Sequence, residues 1–208
     1  MLGFLKQSIV NFKHTGAICP SGRGLARRMT ATIREHEGPK RVLEVGPGTG
    51  PFTREILSTL GPEDRFDIVE INPTFCRHLE RQILDGYRGE HPEVAVALHE
   101  SSIEAADLPG EYDHVVCGLP FNNFEPSVVR GIFRRMLALL APGGDLTYFE
   151  YAAVRVLKTP FTGTKTRKDL RRIDAHGKSL VRRHVGSREL VVGNLPPAVT
   201  IRLQRPTD

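Results

Sequence analysis

The sequence has few cysteines and no clustered metal ligands. Its three cysteines, Cys19, Cys76 and Cys117, are scattered and form no CxxC pair, which argues against a disulfide framework and a cysteine-based metal site. The eight histidines do not group with acidic residues or cysteines in a zinc-binding pattern. We therefore predict no metal and expect free thiols in a reducing compartment.

Segments that would carry the chain into or across a membrane are also missing. No apolar stretch approaches the ~20 residues that a transmembrane helix needs. The N-terminus lacks the continuous apolar core of a secretion signal, because Lys6, Gln7, Ser8 and Asn11 interrupt it. These features predict a cytoplasmic protein, and 208 residues with 39% hydrophobic content fit a single packed domain.

Positive charge is concentrated in two segments. Residues 1–28 carry five Lys or Arg and no acidic residue, and residues 154–188 carry eleven Lys or Arg against two Asp. Since the net charge is +5, the rest of the chain is acidic. Two basic segments on an acidic body favour an anionic partner, either a membrane surface or nucleic acid, although a solvated surface is the plain alternative.

Strands and helices alternate along most of the chain. Hydrophobic periodicity predicts strands over 41–45, 65–71, 94–99, 112–117, 146–151, 179–192 and 198–204. It predicts helices over 1–14, 25–36, 52–60, 73–87 and 126–140. The alternation indicates an α/β, Rossmann-like fold, whose mostly parallel seven-stranded sheet has helices on both faces and ends in an antiparallel hairpin.

The first fourteen residues predict an amphipathic helix. Its apolar side chains share one stripe at helical spacing, and lysines flank that stripe. Such a helix can dock on the domain or lie in a membrane interface, and Phe4, which points away from the stripe, favours the interface. We expect residues 1–36 to form a helical capping segment and residues 37–208 to form the core.

A glycine-rich loop follows the first predicted strand. The run from Glu44 to Gly50 reads Glu-Val-Gly-Pro-Gly-Thr-Gly and leads into a helix. Glycine permits positive φ and close approach of a ligand, and the helix N-terminus favours an anionic group. An acid followed by GxGxG differs from the dinucleotide fingerprint GxGxxG. It predicts S-adenosylmethionine as the cofactor and S-adenosylhomocysteine as the product.

Further cofactor contacts are expected at the ends of the following strands. Glu70 ends the second strand, where an acid can accept hydrogen bonds from both ribose hydroxyls. Ile71 is placed to pack on adenine. The predicted cofactor set is Ser21, Glu44, Gly46, Gly48, Thr49, Gly50, Glu70, Ile71, Ser101, Ser102 and Gly118.

The loop after the fourth strand predicts the site of transfer. It reads Gly118-Leu119-Pro120-Phe121, where amino-methyltransferases of nucleobases carry Asn or Asp first and an aromatic residue last. Gly118 has no side chain, but its carbonyl can hold an amine, and Phe121 can face a cation. We therefore expect Leu119, Pro120 and Phe121 to contact the substrate.

Over nearly its whole length the chain resembles the short bacterial phospholipid N-methyltransferases and a related group acting on ornithine lipids. The resemblance rests on Phe4-Leu5-Lys6, Gly16-Ala17-Ile18-Cys19-Pro20-Ser21, the glycine loop, Gly118-Leu119-Pro120-Phe121, Pro142-Gly143-Gly144 and Asn194-Leu195-Pro196-Pro197-Ala198. It implies a class I methyltransferase that stepwise methylates the amine of phosphatidylethanolamine or ornithine lipid. It also implies a monomer at the inner membrane surface that binds no nucleic acid. An RNA adenine dimethylase is the alternative.

The implied reaction needs a neutral amine, whereas a primary amine resembling lysine has a pKa near ~10.4. A general base or a desolvating pocket must therefore favour the free amine. Glu150 and Tyr148 are the candidate bases, since strand alternation puts them on one face, with Tyr151 and His14 behind them. Glu150 can instead pair with a basic residue of 154–188, and alignment alone can supply much of the rate.

The basic segment 154–178 is predicted to form a lid over the mouth of the site. Its position after the fifth strand places it near the transferred methyl group. Lys165 and Arg167 are the residues expected to read the phosphate or carboxylate of the lipid.

Overall fold

Seven strands in one sheet organise the part of the chain that the computed structural model describes, residues 22–121, 124–151, 185–191 and 197–207. The strands are β1 Arg41–Val45, β2 Arg65–Glu70, β3 Ala95–Glu100, β4 Tyr112–Cys117, β5 Leu140–Tyr151, β6 Val185–Val191 and β7 Ala198–Gln204. The helices are α1 Arg23–Met29, α2 Ala31–Glu35, α3 Pro51–Leu57, α4 Pro73–Leu79, α5 Asp85–Glu90 and α6 Pro126–Leu139. A π-helical turn, Glu80–Leu84, joins α4 to α5.

The strand order is β3-β2-β1-β4-β5-β7-β6. Strands β1 to β5 pair in parallel, whereas β7 lies antiparallel between β5 and β6. This topology confirms the predicted Rossmann-like α/β fold with its closing antiparallel hairpin. Because the parallel strands share a direction, the loops after β1, β2, β3 and β4 meet at one edge of the sheet, which we call the carboxyl edge.

Apolar layers cover both faces of the sheet. On one face, α6 packs Val129, Ile132, Phe133 and Met136 against the strands, a helical spacing that gives one continuous buried stripe. On the other face, α1 and α3 bury Leu25, Met29, Phe52 and Ile56. The described helices of the predicted capping segment therefore belong to the core packing of the sheet.

The structure departs from the predicted elements at three places. The helix predicted over 25–36 is divided at Thr30, whose φ of −110° and ψ of 13° are not helical. The helix predicted over 73–87 contains the π-helical turn. Strand β5 begins at Leu140 because Gly144 lets it lie flush on β4, where an added Cβ would be 2.8 Å from the Tyr112 carbonyl oxygen. Local periodicity does not report such contacts.

Two membrane-related predictions, the helix over 1–14 and the lid over 154–178, lie outside the described residues. Within the described ranges, no helix has the length and apolar character needed to cross a membrane. Cys76 and Cys117 are free and buried, as the scattered cysteines predicted.

Candidate functional site

The glycine loop occupies the carboxyl edge between β1 and α3. Gly46, Gly48 and Gly50 have φ values of 70°, 60° and 82°, in the left-handed region that favours glycine. The Gly46 amide donates to the Val69 carbonyl at 2.9 Å, which joins the loop to β2. A Cβ added to Gly48 would meet no atom within 4 Å. Open space therefore adjoins the middle of the loop, where a ligand can approach the backbone.

Glu70 lies directly beneath this loop at the end of β2. One of its carboxylate oxygens accepts from the Gly48 amide at 3.2 Å, and the other accepts from the Asn72 amide at 2.8 Å. Burial raises the pKa of Glu70, and the amide donors oppose this rise. Each carboxylate oxygen has a second lone pair, so Glu70 can also accept hydrogen bonds from ribose hydroxyls.

Glu44, at the penultimate position of β1, is wholly buried. The Thr53 hydroxyl donates to its Oε2 at 2.7 Å, while Oε1 has no hydrogen-bond partner among the described residues. Burial raises the pKa of Glu44 to about 8, and the nearby Glu70 carboxylate adds to the effect. An unpaired buried acceptor of this kind is suited to a positively charged ligand. Sequence reasoning did not identify Thr53, although it occurs nine residues after Glu44, on the first turn of α3.

The end of β3 lies beside Glu70 at the carboxyl edge. The Ser101 amide donates to the Glu70 carbonyl at 3.0 Å. Its hydroxyl donates to the Ser102 carbonyl at 3.2 Å. Ile71 is half-buried against the core, and Thr49 is exposed on the glycine loop. These residues share the carboxyl edge, and their contacts with the cofactor stay predictions, while Ser21 lies outside the described residues.

The loop after β4 is locked against the glycine loop. The Gly118 amide donates to the Val45 carbonyl at 2.8 Å, and a Cβ at position 118 would lie 2.5 Å from the Gly46 carbonyl oxygen. In turn, a Cβ on Gly46 would collide with the Leu119 side chain. Position 118 therefore has no room for the Asn or Asp of nucleobase amino-methyltransferases. The absence of that side chain was visible in the sequence, but its steric reason was not.

Phe121 and Tyr148 pack together beneath the loop after β4. Their side chains are 4% and 2% exposed. The Phe121 ring centroid lies 4.7 Å from that of Phe133 and 5.8 Å from that of Tyr148. In this arrangement Phe121 faces the core, and its predicted contact with a substrate cation stays a prediction. Leu119 and Pro120 are half-buried and lie nearer to solvent.

Glu150 lies near the carboxyl end of β5, on the same face as Tyr148. Its side chain is 17% exposed, and its Oε2 is 3.8 Å from Nη2 of Arg188 on β6. The pairing is the one that the sequence had offered as an alternative to a base. Tyr151 belongs to the opposite face, where its ring packs 5.1 Å from Phe149. His14, Lys165 and Arg167 lie outside the described residues.

The strand order, the glycine loop and the two buried acids together define a class I methyltransferase. A protein family described as "Methyltransferase domain" matches residues 42–144. The ornithine lipid N-methyltransferase of Singulisphaera acidiphila is 33% identical over 141 residues, which cover 64% of this chain and 70% of that protein. The chain belongs to the class I S-adenosylmethionine-dependent methyltransferases, and S-adenosylmethionine is its cofactor.

Other similar proteins methylate different atoms. The ubiquinone/menaquinone biosynthesis C-methyltransferase of Ectopseudomonas mendocina is 27% identical over 129 residues, and the chain spans 48% of its length. The O-methyltransferase TomG from Streptomyces achromogenes, solved with S-adenosylmethionine, has a TM-score of 0.63 at 17% identity over 98% of this chain and 89% of that one. The latter likeness shows the fold alone.

Proposed function

We propose that this protein methylates the amine head group of a membrane lipid, phosphatidylethanolamine or an ornithine lipid. The observation that carries the proposal is the 33% identity to an ornithine lipid N-methyltransferase over 70% of that protein's length. The motifs at both ends of the chain, which resemble those of lipid N-methyltransferases, support the same substrate class. Stepwise methylation of one head group is the expected reaction.

The loop after β4 supports an aliphatic amine rather than a nucleobase as the methyl acceptor. A nucleobase amine is held by the Asn or Asp side chain at the first position of this loop, and the Gly46 carbonyl excludes such a side chain at Gly118. We propose the Gly118 carbonyl as the acceptor for one N–H of an amine. This difference weighs against the RNA adenine dimethylase alternative.

The residues present fit the cofactor. Glu70 can hold the ribose, the glycine loop can pass close to the ligand, and the unpaired oxygen of Glu44 suits its positive charge. When bound, S-adenosylmethionine supplies an electrophilic methyl group on a sulfonium. The protein must then present a neutral amine to that group.

Glu150 is the described residue best placed to take the proton that the amine must lose. It is half-buried near the end of β5, so a lipid amine can approach its carboxylate from solvent. Arg188 lies close enough to hold this carboxylate in a fixed orientation. In this proposal Tyr148 supports Phe121 by packing, which its burial favours.

The two basic segments, residues 1–28 and 154–188, support an anionic membrane surface as the partner. Each Lys or Arg near an anionic bilayer surface contributes about 1 kcal/mol of binding free energy. Residues 1–28 and 154–188 carry sixteen such side chains against two acidic ones. We therefore propose a monomer that binds the inner membrane surface and needs no nucleic acid.

A second candidate is methyl transfer to carbon on a quinone-like lipid, which the 27% identity to the C-methyltransferase favours. Methyl transfer from labelled S-adenosylmethionine separates the candidates, with liposomes of phosphatidylethanolamine, liposomes of ornithine lipid, a polyprenyl quinol precursor and bulk RNA as parallel substrates. Label in either aminolipid supports the proposal. Label restricted to the quinol precursor or to RNA would overturn it.

A matched pair of variants assigns the base. We expect Glu150→Gln to lower kcat about 100-fold and to lose less at high pH, where more of the amine is already neutral. The control is Glu90→Gln, which changes an exposed carboxylate at the end of α5. Equal pH profiles for wild type and Glu150→Gln would show that alignment alone drives the reaction.

A further inference from the structure

Glu44 is enclosed by the chain in a way that leaves its carboxyl half satisfied. Its side chain is 0% exposed; the Thr53 hydroxyl donates to Oε2 at 2.7 Å, and the Thr53 backbone amide also favours the carboxylate. Oε1 is buried and has no partner among the described residues. A carboxylate in this state is costly, because burial removes water and the hydrogen bonds that the protein returns come from Thr53 alone among the described residues, with none to Oε1.

The charged and titratable groups around Glu44 do not offset the cost of burying its carboxylate. Glu70, at the end of the neighbouring strand β2, adds a like charge. Cys117, at the end of β4, is a buried thiol whose pKa burial raises to about 12, so it stays neutral. From α3 comes the neutral hydroxyl of Thr53. Over the described residues, none of the influences on Glu44 comes from a cation.

We propose that Glu44 is a proton-carrying counter-charge, neutral in the free protein and ionised when the positively charged cofactor binds. The carboxyl O–H bond breaks, the proton passes to solvent, and the sulfonium and ammonium charges of the ligand balance the new carboxylate. Thr53 acts as a positioning residue, because its hydroxyl donates to Oε2 and stabilises the ionised form.

The proposal is supported by the position of Glu44 next to the glycine loop. Glu44 is separated from Gly46 by one residue. Glu70 accepts a hydrogen bond from the Gly48 amide of the same loop, and its negative charge acts on Glu44. The raised pKa of Glu44, about 8, gives the free protein a largely protonated carboxyl at neutral pH. A positive ligand over this loop favours the carboxylate, so binding and ionisation reinforce each other.

Isothermal titration of S-adenosylmethionine in buffers of different ionisation enthalpy measures the protons released on binding. The amine of the ligand also titrates near neutral pH, so the readout is the difference between wild type and Glu44→Gln. At pH 7 we expect wild type to release close to one proton more than the variant. This difference should fall toward zero at pH 9. Equal proton counts at both pH values would overturn the proposal.

The pH dependence of affinity gives a second readout. Relative to Glu44→Gln, wild-type affinity should rise by up to about tenfold per pH unit below the pKa of Glu44 and then level off, because titration of the ligand's own amine affects both proteins equally. S-adenosylhomocysteine retains the ammonium but lacks the sulfonium charge. Proton release with both ligands assigns the effect to the ammonium, and release with S-adenosylmethionine alone assigns it to the sulfonium.

Thr53→Val and Thr53→Ser test the positioning role. Loss of the hydroxyl should move the rise in affinity to higher pH, and serine should restore it. A thermal unfolding curve for each variant establishes that it is folded. A loss of affinity in Thr53→Val that is equal at pH 6 and pH 9 would reduce Thr53 to a packing role and overturn this part of the proposal.

Discussion

The buried carboxylate of Asp67, in the middle of β2, and those of Glu44 and Glu70, at the carboxyl edge, have opposite surroundings. Asp67 is wholly buried and accepts hydrogen bonds from Arg65 at 2.9 Å and from Tyr112 at 2.9 Å, while His99 lies 2.8 Å away. Burial alone would raise the pKa of Asp67, but these partners lower it below its usual value. The chain itself satisfies this carboxylate, so Asp67 has a structural role.

Glu44 and Glu70 show the reverse arrangement. Their donors are one hydroxyl and a few backbone amides, and burial raises the pKa of both groups. The contrast teaches that burial of an acid does not by itself indicate function. An acid that the protein leaves partly unsatisfied, beside open space at a glycine loop, is the kind of group that we propose for ligand binding.

The largest expected effect comes from breaking the contact between the two loops of the site. Gly118→Ala puts a Cβ at 2.5 Å from the Gly46 carbonyl oxygen, so the glycine loop must shift. We expect a loss of methyl transfer of about 100-fold, because small misplacements at a site cost this much. The control is Gly24→Ala, where an added Cβ meets nothing within 4 Å. Wild-type turnover in Gly118→Ala would contradict the steric argument.

Glu70→Gln tests the proposed role of Glu70 in cofactor binding. Replacing the carboxylate weakens charge-assisted hydrogen bonds to the ribose, so cofactor affinity should fall by about 10- to 100-fold. Thermal stability of the free protein should fall by less than the affinity, because one backbone amide loses its acceptor while the removed charge is one that burial disfavours. Titration calorimetry and thermal unfolding measure the two quantities. A large loss of stability with unchanged affinity would reverse the assignment.

Asp67→Asn tests the role of Asp67 in stabilising the folded state. The variant leaves Arg65 and His99 without their anionic partner, and because Arg65 is half exposed we expect a loss of about 2 kcal/mol in the free energy of unfolding. Cofactor affinity should stay near the wild-type value, because Asp67 lies away from the glycine loop in the middle of β2. Denaturant unfolding and calorimetry on the same sample check both expectations.

The two kinds of acid should also give opposite pH dependences of stability. The folded-state pKa of Glu44, about 8, lies above its ordinary value of 4.5, so between these pH values the folded state binds more protons. Glu44 therefore causes stability to fall as pH rises through this window. Asp67, whose folded pKa is lowered, contributes stability above its ordinary pKa and loses it as pH falls through the lower folded value.

Thermal unfolding of the cofactor-free protein from pH 6 to pH 9 measures this smaller effect. We expect the wild-type Tm to decline toward pH 9 and Glu44→Gln to decline less, by several degrees at the alkaline end. Parallel curves for the two proteins would show that Glu44 does not titrate in this window.

Local sequence pattern was sufficient for the architecture and for the loops that meet at the carboxyl edge. The bounds of β1, β4 and β7 agree with the predicted strands, since alternating and continuous apolar runs depend on near neighbours. The glycine loop has the positive φ values that its spacing predicted, because backbone freedom is a property of the residue itself. Glu70 reaches that loop because parallel strands end at one edge.

Contacts between segments that are distant in the sequence determine the features that the local pattern did not predict. The reason for glycine at position 118 is a carbonyl that is 72 residues away in the chain, at Gly46. Phe121 turns into the core because Phe133 and Tyr148 offer it a buried partner surface. Glu150 meets Arg188 through the antiparallel hairpin. Residue type and spacing specify what a side chain can do, whereas its partners depend on which segments the folded sheet brings together.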